Sequence, residues 1–217
     1  MLHISALLTP REIGTIRDLT GKGVWIDGRA TAGHLSARVK RNRQLGEEDS
    51  AGLAAGAIIL AALGRSGVFA SAALPRQISA PLFSRCEAGE GYGDHIDSAI
   101  RPLSQGQMRL DLSATVFLSE PNAYEGGALV INTGSVAQSF KLPAGDMLLY
   151  AADTIHRVEP VESGERAVAF FWVQSMIRAA ADRDLLFALD QAIQSNTPDP
   201  LPLAQIYHNL LRRWAEP

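Results

Sequence analysis

The sequence predicts an α+β fold, a β sandwich or barrel with helices at both ends. Helical patterns dominate from residue 10 to 65 and return after Gln174. Between them, residues 78 to 176 hold short runs rich in Val, Ile, Phe and Leu, split by Gly, Pro and Asn. Strands so brief, at near-regular spacing, argue for a sandwich or barrel over alternating βαβ units. The length supports one domain: 217 residues, 47% hydrophobic and 20% charged, bury a sizeable core and exclude wholesale disorder. Residues 1–176 then form the main domain, helical over about 1–77 and strand-rich over about 78–176. Residues 177–217 form a helical extension packed on that core.

Each element has its own signal. In "TPREIGTIRDL", Thr9 is placed as an N-cap and Pro10 at the first helical position. A second helix, "EEDSAGLAAGAIILAALG", ends on Gly64, and its small residues suit close packing in a core. Between the two lies "WIDGRATAGHLSARVKRNRQL", turn-rich and basic. The strand runs are "DLSATVFL", "GGALVIN", "SFKLP", "DMLLYA", "HRVEPV" and "RAVAFFWVQS". Two helices, "SMIRAAADRDLLFALDQAIQ" and "LPLAQIYHNLLRRWAE", close the chain around a Pro-rich break and offer a surface for a homodimer.

Net charge is −3, so no global pull draws the chain to nucleic acid or to an anionic membrane. The single cysteine, Cys86, allows no intrachain disulfide, which favours a reducing, cytoplasmic setting. The opening "MLHISALLTPREIGTIRDL" lacks the basic and apolar regions of a secretion signal. The longest apolar run, residues 51–63, falls short of the roughly 20 residues that span a bilayer.

Chemistry concentrates in a few residues. In "GYGDHID", His95 and Asp97 are two positions apart, a spacing that puts both side chains on one face of an extended strand. His156 follows the apolar run "DMLLYA", on a strand that a sandwich can return beside the first. Two histidines and a carboxylate make the facial triad of non-haem Fe(II) oxygenases, though zinc accepts the same set. Arg166, ten positions after His156, opens an apolar strand where an unpaired guanidinium would be costly to bury. It pairs either with a nearby carboxylate, Glu165 or Asp146, or with the carboxylate of a small-molecule cosubstrate.

The order H-x-D, His, then Arg ten residues on resembles the Fe(II)- and 2-oxoglutarate-dependent dioxygenases of the prolyl-hydroxylase superfamily. "GGALVIN", "LPAGDMLLY", "HRVEPVESGER", "DGRATAGHLSARVKRN" and "SAALP" are similar to its PKHD-type hydroxylases, so the resemblance covers nearly the whole chain. It implies a double-stranded β-helix, or jelly roll, in which His95, Asp97 and His156 hold Fe(2+) and Arg166 meets the distal carboxylate of 2-oxoglutarate. It also implies that O2 and 2-oxoglutarate are consumed, that succinate and CO2 are released, and that L-ascorbate keeps the iron reduced. The substrate is a small molecule or a peptide, and fold does not choose between them. A metal- or ligand-binding jelly roll without turnover is the competing reading.

One departure stands out. Many members carry a tyrosine nine residues before the first metal-binding histidine, where its hydroxyl reaches the cosubstrate; this chain has Cys86. A thiol is a weaker donor, so Tyr92 or Tyr150 is left to compensate, with Cys86 read as a buried small hydrophobe. Ser98, where asparagine is common, is a smaller deviation. The basic residues Arg29, His34, Arg38, Lys40, Arg41 and Arg43 form either a solvated face or a mouth that favours an acidic substrate. His3 and His208 read as structural or exposed, and Phe171 and Trp172 as core.

Overall fold

The computed structural model describes residues 1–31, 36–103, 106–134, 136–195 and 198–217. The chain opens with β1 (Leu2–Ile4), α1 (Pro10–Thr20), β2 (Trp25–Asp27), β3 (Lys40–Arg41), β4 (Arg43–Leu45), α2 (Ser50–Gly64), α3 (Gly67–Ala73) and β5 (Pro75–Ile78). Thr9 caps α1 as its sequence predicts: its hydroxyl accepts from the Glu12 amide at 3.3 Å, and the Glu12 carboxylate accepts from the Thr9 amide at 2.8 Å. The α2 helix ends on Gly64 and starts behind Asp49, whose carboxylate accepts from two backbone amides. Residues 1–77 are not simply helical, however, because five short strands lie among these helices. Runs of two to four residues are too short to display an alternating pattern, and only their sheet neighbours define them.

The strand-rich part contains β6 (Leu82–Cys86), β7 (Gly91–His95), β8 (Ile100–Pro102), β9 (Gln107–Arg109), β10 (Leu112–Phe117), β11 (Tyr124–Gly126) and β12 (Leu129–Asn132). It continues with β13 (Ala137–Phe140), β14 (Met147–Ala151), β15 (Ile155–Val158), β16 (Val161–Gly164) and β17 (Arg166–Ser175). Helices α4 (Ala180–Gln194) and α5 (Leu201–Trp214) end the chain. The larger sheet runs β1-β14-β10-β17-β6-β4-β2, with β5 also on β17, and the smaller runs β13-β12-β15-β7-β3. Their ladders are antiparallel, and the two sheets face each other as a jelly roll.

Alternation along the strands divides the interior in two. Ala114, Val116, Ala169, Phe171 and Phe83 point out of the sandwich into a core completed by Ile16 of α1, Ile59 of α2 and Phe69 of α3. Their neighbours Phe117, Leu148, Tyr150 and Val168 point inward and meet Leu129 and Ile131 of the small sheet. That inner layer borders a cavity, lined by His95, Asp97, His156, Arg166, Ser84 and Lys40 together with Leu129, Tyr150 and Val168 of the layer itself. Leu186 of α4 packs with Leu74, Ile177 and the apolar face of α5, beyond α3. Among the described residues no single helix is long and apolar enough to cross a membrane.

Candidate metal centre

Strand pairing brings the three ligand candidates together. β15 runs beside β7 in a register that sets His156 opposite His95. His95 is the last residue of β7, and Asp97 lies just past the strand end, close enough that its Oδ2 is 4.0 Å from His156 Nε2. Ligand atoms of His95, Asp97 and His156 all fall within 4.8 Å of one another. The glycines of "GYGDHID" serve close approach rather than a turn. A Cβ on Gly91 would stand 2.9 Å from the Val158 carbonyl oxygen, and one on Gly93 2.9 Å from the Val39 Cβ.

Hydrogen bonding sets the triad up to receive a cation. His95 Nδ1 lies 2.9 Å from the Gly93 carbonyl and His156 Nδ1 2.9 Å from the Thr154 carbonyl. A carbonyl only accepts, so each Nδ1 carries the proton and each Nε2 presents its lone pair inward. Asp97 is oriented by Ser113, whose hydroxyl donates to its Oδ2 at 2.5 Å. Tyr92 stacks on the His95 ring with centroids 3.5 Å apart, and Tyr150 sets its ring 5.2 Å from that of His156 at 68°. Burial first, then the neighbouring His156, hold His95 well below the ordinary imidazole range. It is therefore the neutral base that a metal requires at ordinary pH. The donor set fits a six-coordinate iron with three positions left open.

Arg166 lines the same cavity, 2% exposed, with its Nε lacking a hydrogen-bond partner. Neither carboxylate named beforehand reaches it: Glu165 pairs with Arg85 at 3.6 Å and Asp146 with His3 at 2.7 Å. Its nearest aromatic face is Phe117, 5.8 Å away. A guanidinium buried on these terms fits an anion supplied from outside the chain. Tyr150 also lines the cavity, 5% exposed, and its phenol is pushed up by burial. Cys86 faces Arg166 across the β6–β17 ladder, and burial, partly opposed by Arg166, pushes its thiol up to about 11.

The basic segment separates by residue. Arg38, Arg41 and Arg43 are exposed, Arg29 binds Asp27 on the surface, and His34 lies outside the described residues. Lys40 alone of the six is shown inside the cavity, donating to Gln44 Oε1 at 2.7 Å. Phe171 is core at 0% exposure, but Trp172 is not: it lines the cavity beneath the Arg101 guanidinium, 4.9 Å from its ring. Consecutive residues of β17 face opposite sides of the sheet, so the pair could not both be core. His3 binds Asp146, and His208 is exposed beside Tyr207. Ser113 was legible in principle, as a polar residue on the inward phase of "DLSATVFL". Tyr124, buried near Arg166, carried no comparable signal.

Residues 81–174 match the model of the 2OG-Fe(II) oxygenase superfamily and residues 181–216 that of the PKHD-type hydroxylase C-terminal domain. A PKHD-type hydroxylase of Burkholderia thailandensis is 48% identical, covering 100% of this chain and 99% of that protein. One from Shewanella sp. strain ANA-3 is 47% identical over the same shares. A Pseudomonas putida prolyl-4-hydroxylase structure shares the fold at 18% identity and a TM-score of 0.51, covering 80% of this chain and 91% of that one. HygX from Streptomyces hygroscopicus, solved with nickel, 2-oxoglutarate and hygromycin B, shares it at 15% identity and a TM-score of 0.57, covering 81% and 83%. The chain therefore belongs to the PKHD-type hydroxylases, Fe(II)- and 2-oxoglutarate-dependent dioxygenases built on a jelly roll.

Proposed function

We propose that His95, Asp97 and His156 hold the iron, that Arg166 receives the distal carboxylate of 2-oxoglutarate, and that a small molecule or peptide is hydroxylated beside them. The observation that carries this reading is the pairing of a converged triad with a buried guanidinium whose Nε has no partner, in one cavity. Bound iron supplies the oxygen activation that couples conversion of 2-oxoglutarate and O2 to succinate and CO2 with insertion of one oxygen atom into a C–H bond. The chain's own part is positional. Ser113 and the two backbone carbonyls fix the ligand side chains, and Arg166 with the apolar inner layer orients an extended dianion toward them.

Tyr150 is assigned a place beside the cosubstrate, on its position at the His156 ring. L-ascorbate keeps the iron reduced between turnovers, and the protein works in the cytoplasm, as the single buried Cys86 favours. Exposed Leu185, Leu201 and Ile206 on α4 and α5 support a homodimer through those helices. The test is product formation: full-length protein with Fe(II), ascorbate, 2-oxoglutarate and air should release succinate, slowly even without the true substrate. Absence of succinate with every candidate substrate and in uncoupled turnover would overturn the reading.

A further inference from the structure

Beside Cys86 and Arg166, behind the residues that line the cavity, lies a second buried polar group. Tyr124, 3% exposed, starts β11, which pairs antiparallel with β16, and lies in an apolar cluster with Cys86 and Val161. Its position is tightly held. A Cβ on Gly127 would approach its ring to 3.0 Å and one on Gly164 its Cα to 2.9 Å, and both glycines have positive φ. Lys141 donates to its carbonyl at 2.6 Å and sits 4.2 Å from its ring. Yet the O–H that this packing delivers meets no acceptor: its side-chain neighbour is the Arg166 guanidinium, which can only donate, and Arg166 Nε has no partner of its own. Burial raises the Tyr124 phenol, and Arg166 opposes that rise through its charge and a hydrogen bond to the phenol oxygen, which puts the two groups side by side.

A buried O–H without an acceptor costs stability, and the β11–β16 pair holds this one beside the Arg166 guanidinium. Arg166 is also the cross-strand neighbour of Cys86, the position where a tyrosine was expected. A cysteine there is far smaller than a tyrosine, so space beside Arg166 is left for a hydroxyl arriving from another strand. We propose that Tyr124 supplies it: its Oη donates to the distal carboxylate of 2-oxoglutarate alongside Arg166, in place of the tyrosine absent at position 86. The inference rests on the assignment of Arg166 to that carboxylate and adds a residue from β11 to it. The O–H then gains an acceptor only when the cosubstrate binds.

The experiment is calorimetric titration of 2-oxoglutarate into the full-length protein loaded with Mn(II), which binds without turnover. Tyr124→Phe should weaken binding about tenfold, the worth of one hydrogen bond to a charged group. It should leave the affinity for 2-oxobutanoate, which lacks the distal carboxylate, within twofold. A Tyr124→Phe affinity within twofold of wild type, with Arg166→Met impaired, would overturn the role of Tyr124 alone. If Arg166→Met also binds 2-oxoglutarate normally, the assignment of Arg166 itself falls.

Discussion

Lys40 shows what a single side chain can contribute beyond pattern. Burial lowers its ammonium from the ordinary 10.5 to about 8, with Asp97 pulling the other way. Between pH 8 and 10.5 the unfolded chain holds a proton that the folded chain has released, so this group makes stability rise with pH across that window. Below it, the cost of burying the charge is fully present. The unfolding free energy of wild type relative to Lys40→Met should therefore climb from pH 8 to 10.5 by up to roughly 3 kcal/mol, as read by urea denaturation at each pH. A difference that stays flat would show that Lys40 is solvated. The sequence placed Lys40 in a run of basic residues, where charge alone could not separate it from its exposed neighbours Arg41 and Arg43. The candidate triad His95, Asp97 and His156, with Arg166, was more legible, because these residues keep a spacing shared with a known family. Tyr124 was not, because its proximity to Arg166 depends on β11 pairing with β16 across the four strands that separate them in sequence.

At the scale of elements, two glycines of opposite meaning can be compared. Gly91 lets β7 lie against β15, and a methyl group there would stand 2.9 Å from the Val158 oxygen. Gly91→Ala should cost about 1–3 kcal/mol through overpacking and weaken metal binding, since it parts the strands that carry His95 and His156. Gly14, inside α1, has nothing within 4 Å of its Cβ position. Gly14→Ala should instead stabilise by about 0.5–1 kcal/mol through helix propensity and leave metal binding alone. Thermal melts with and without Ni(II) check both; equal effects of the two changes would contradict the close approach at Gly91. Helix ends were readable because capping is local: Thr9 and Gly64 mark their helices in the sequence as in the structure. The strands β1 to β4 were not, being two or three residues long and defined only by the sheets they join.

For the whole molecule, the jelly roll brings residues 61 positions apart, His95 and His156, into one cavity. The two sheets supply different parts of it: β7 and β15 of the small sheet carry the histidines, while β10 and β17 of the large sheet bring Ser113 and Arg166. A cation that binds only this folded arrangement must stabilise it, by about 2.7 kcal/mol at a hundredfold excess over its dissociation constant. The central claim is that these residues form one iron and 2-oxoglutarate site, and anaerobic titration of Fe(II) followed by 2-oxoglutarate tests it. Wild type should bind one equivalent of iron and then develop a visible charge-transfer band as the cosubstrate chelates it. Asp97→Ala should lose the iron, and Arg166→Met should keep it while needing about tenfold more 2-oxoglutarate. Iron uptake and band formation unchanged in both variants would contradict the account.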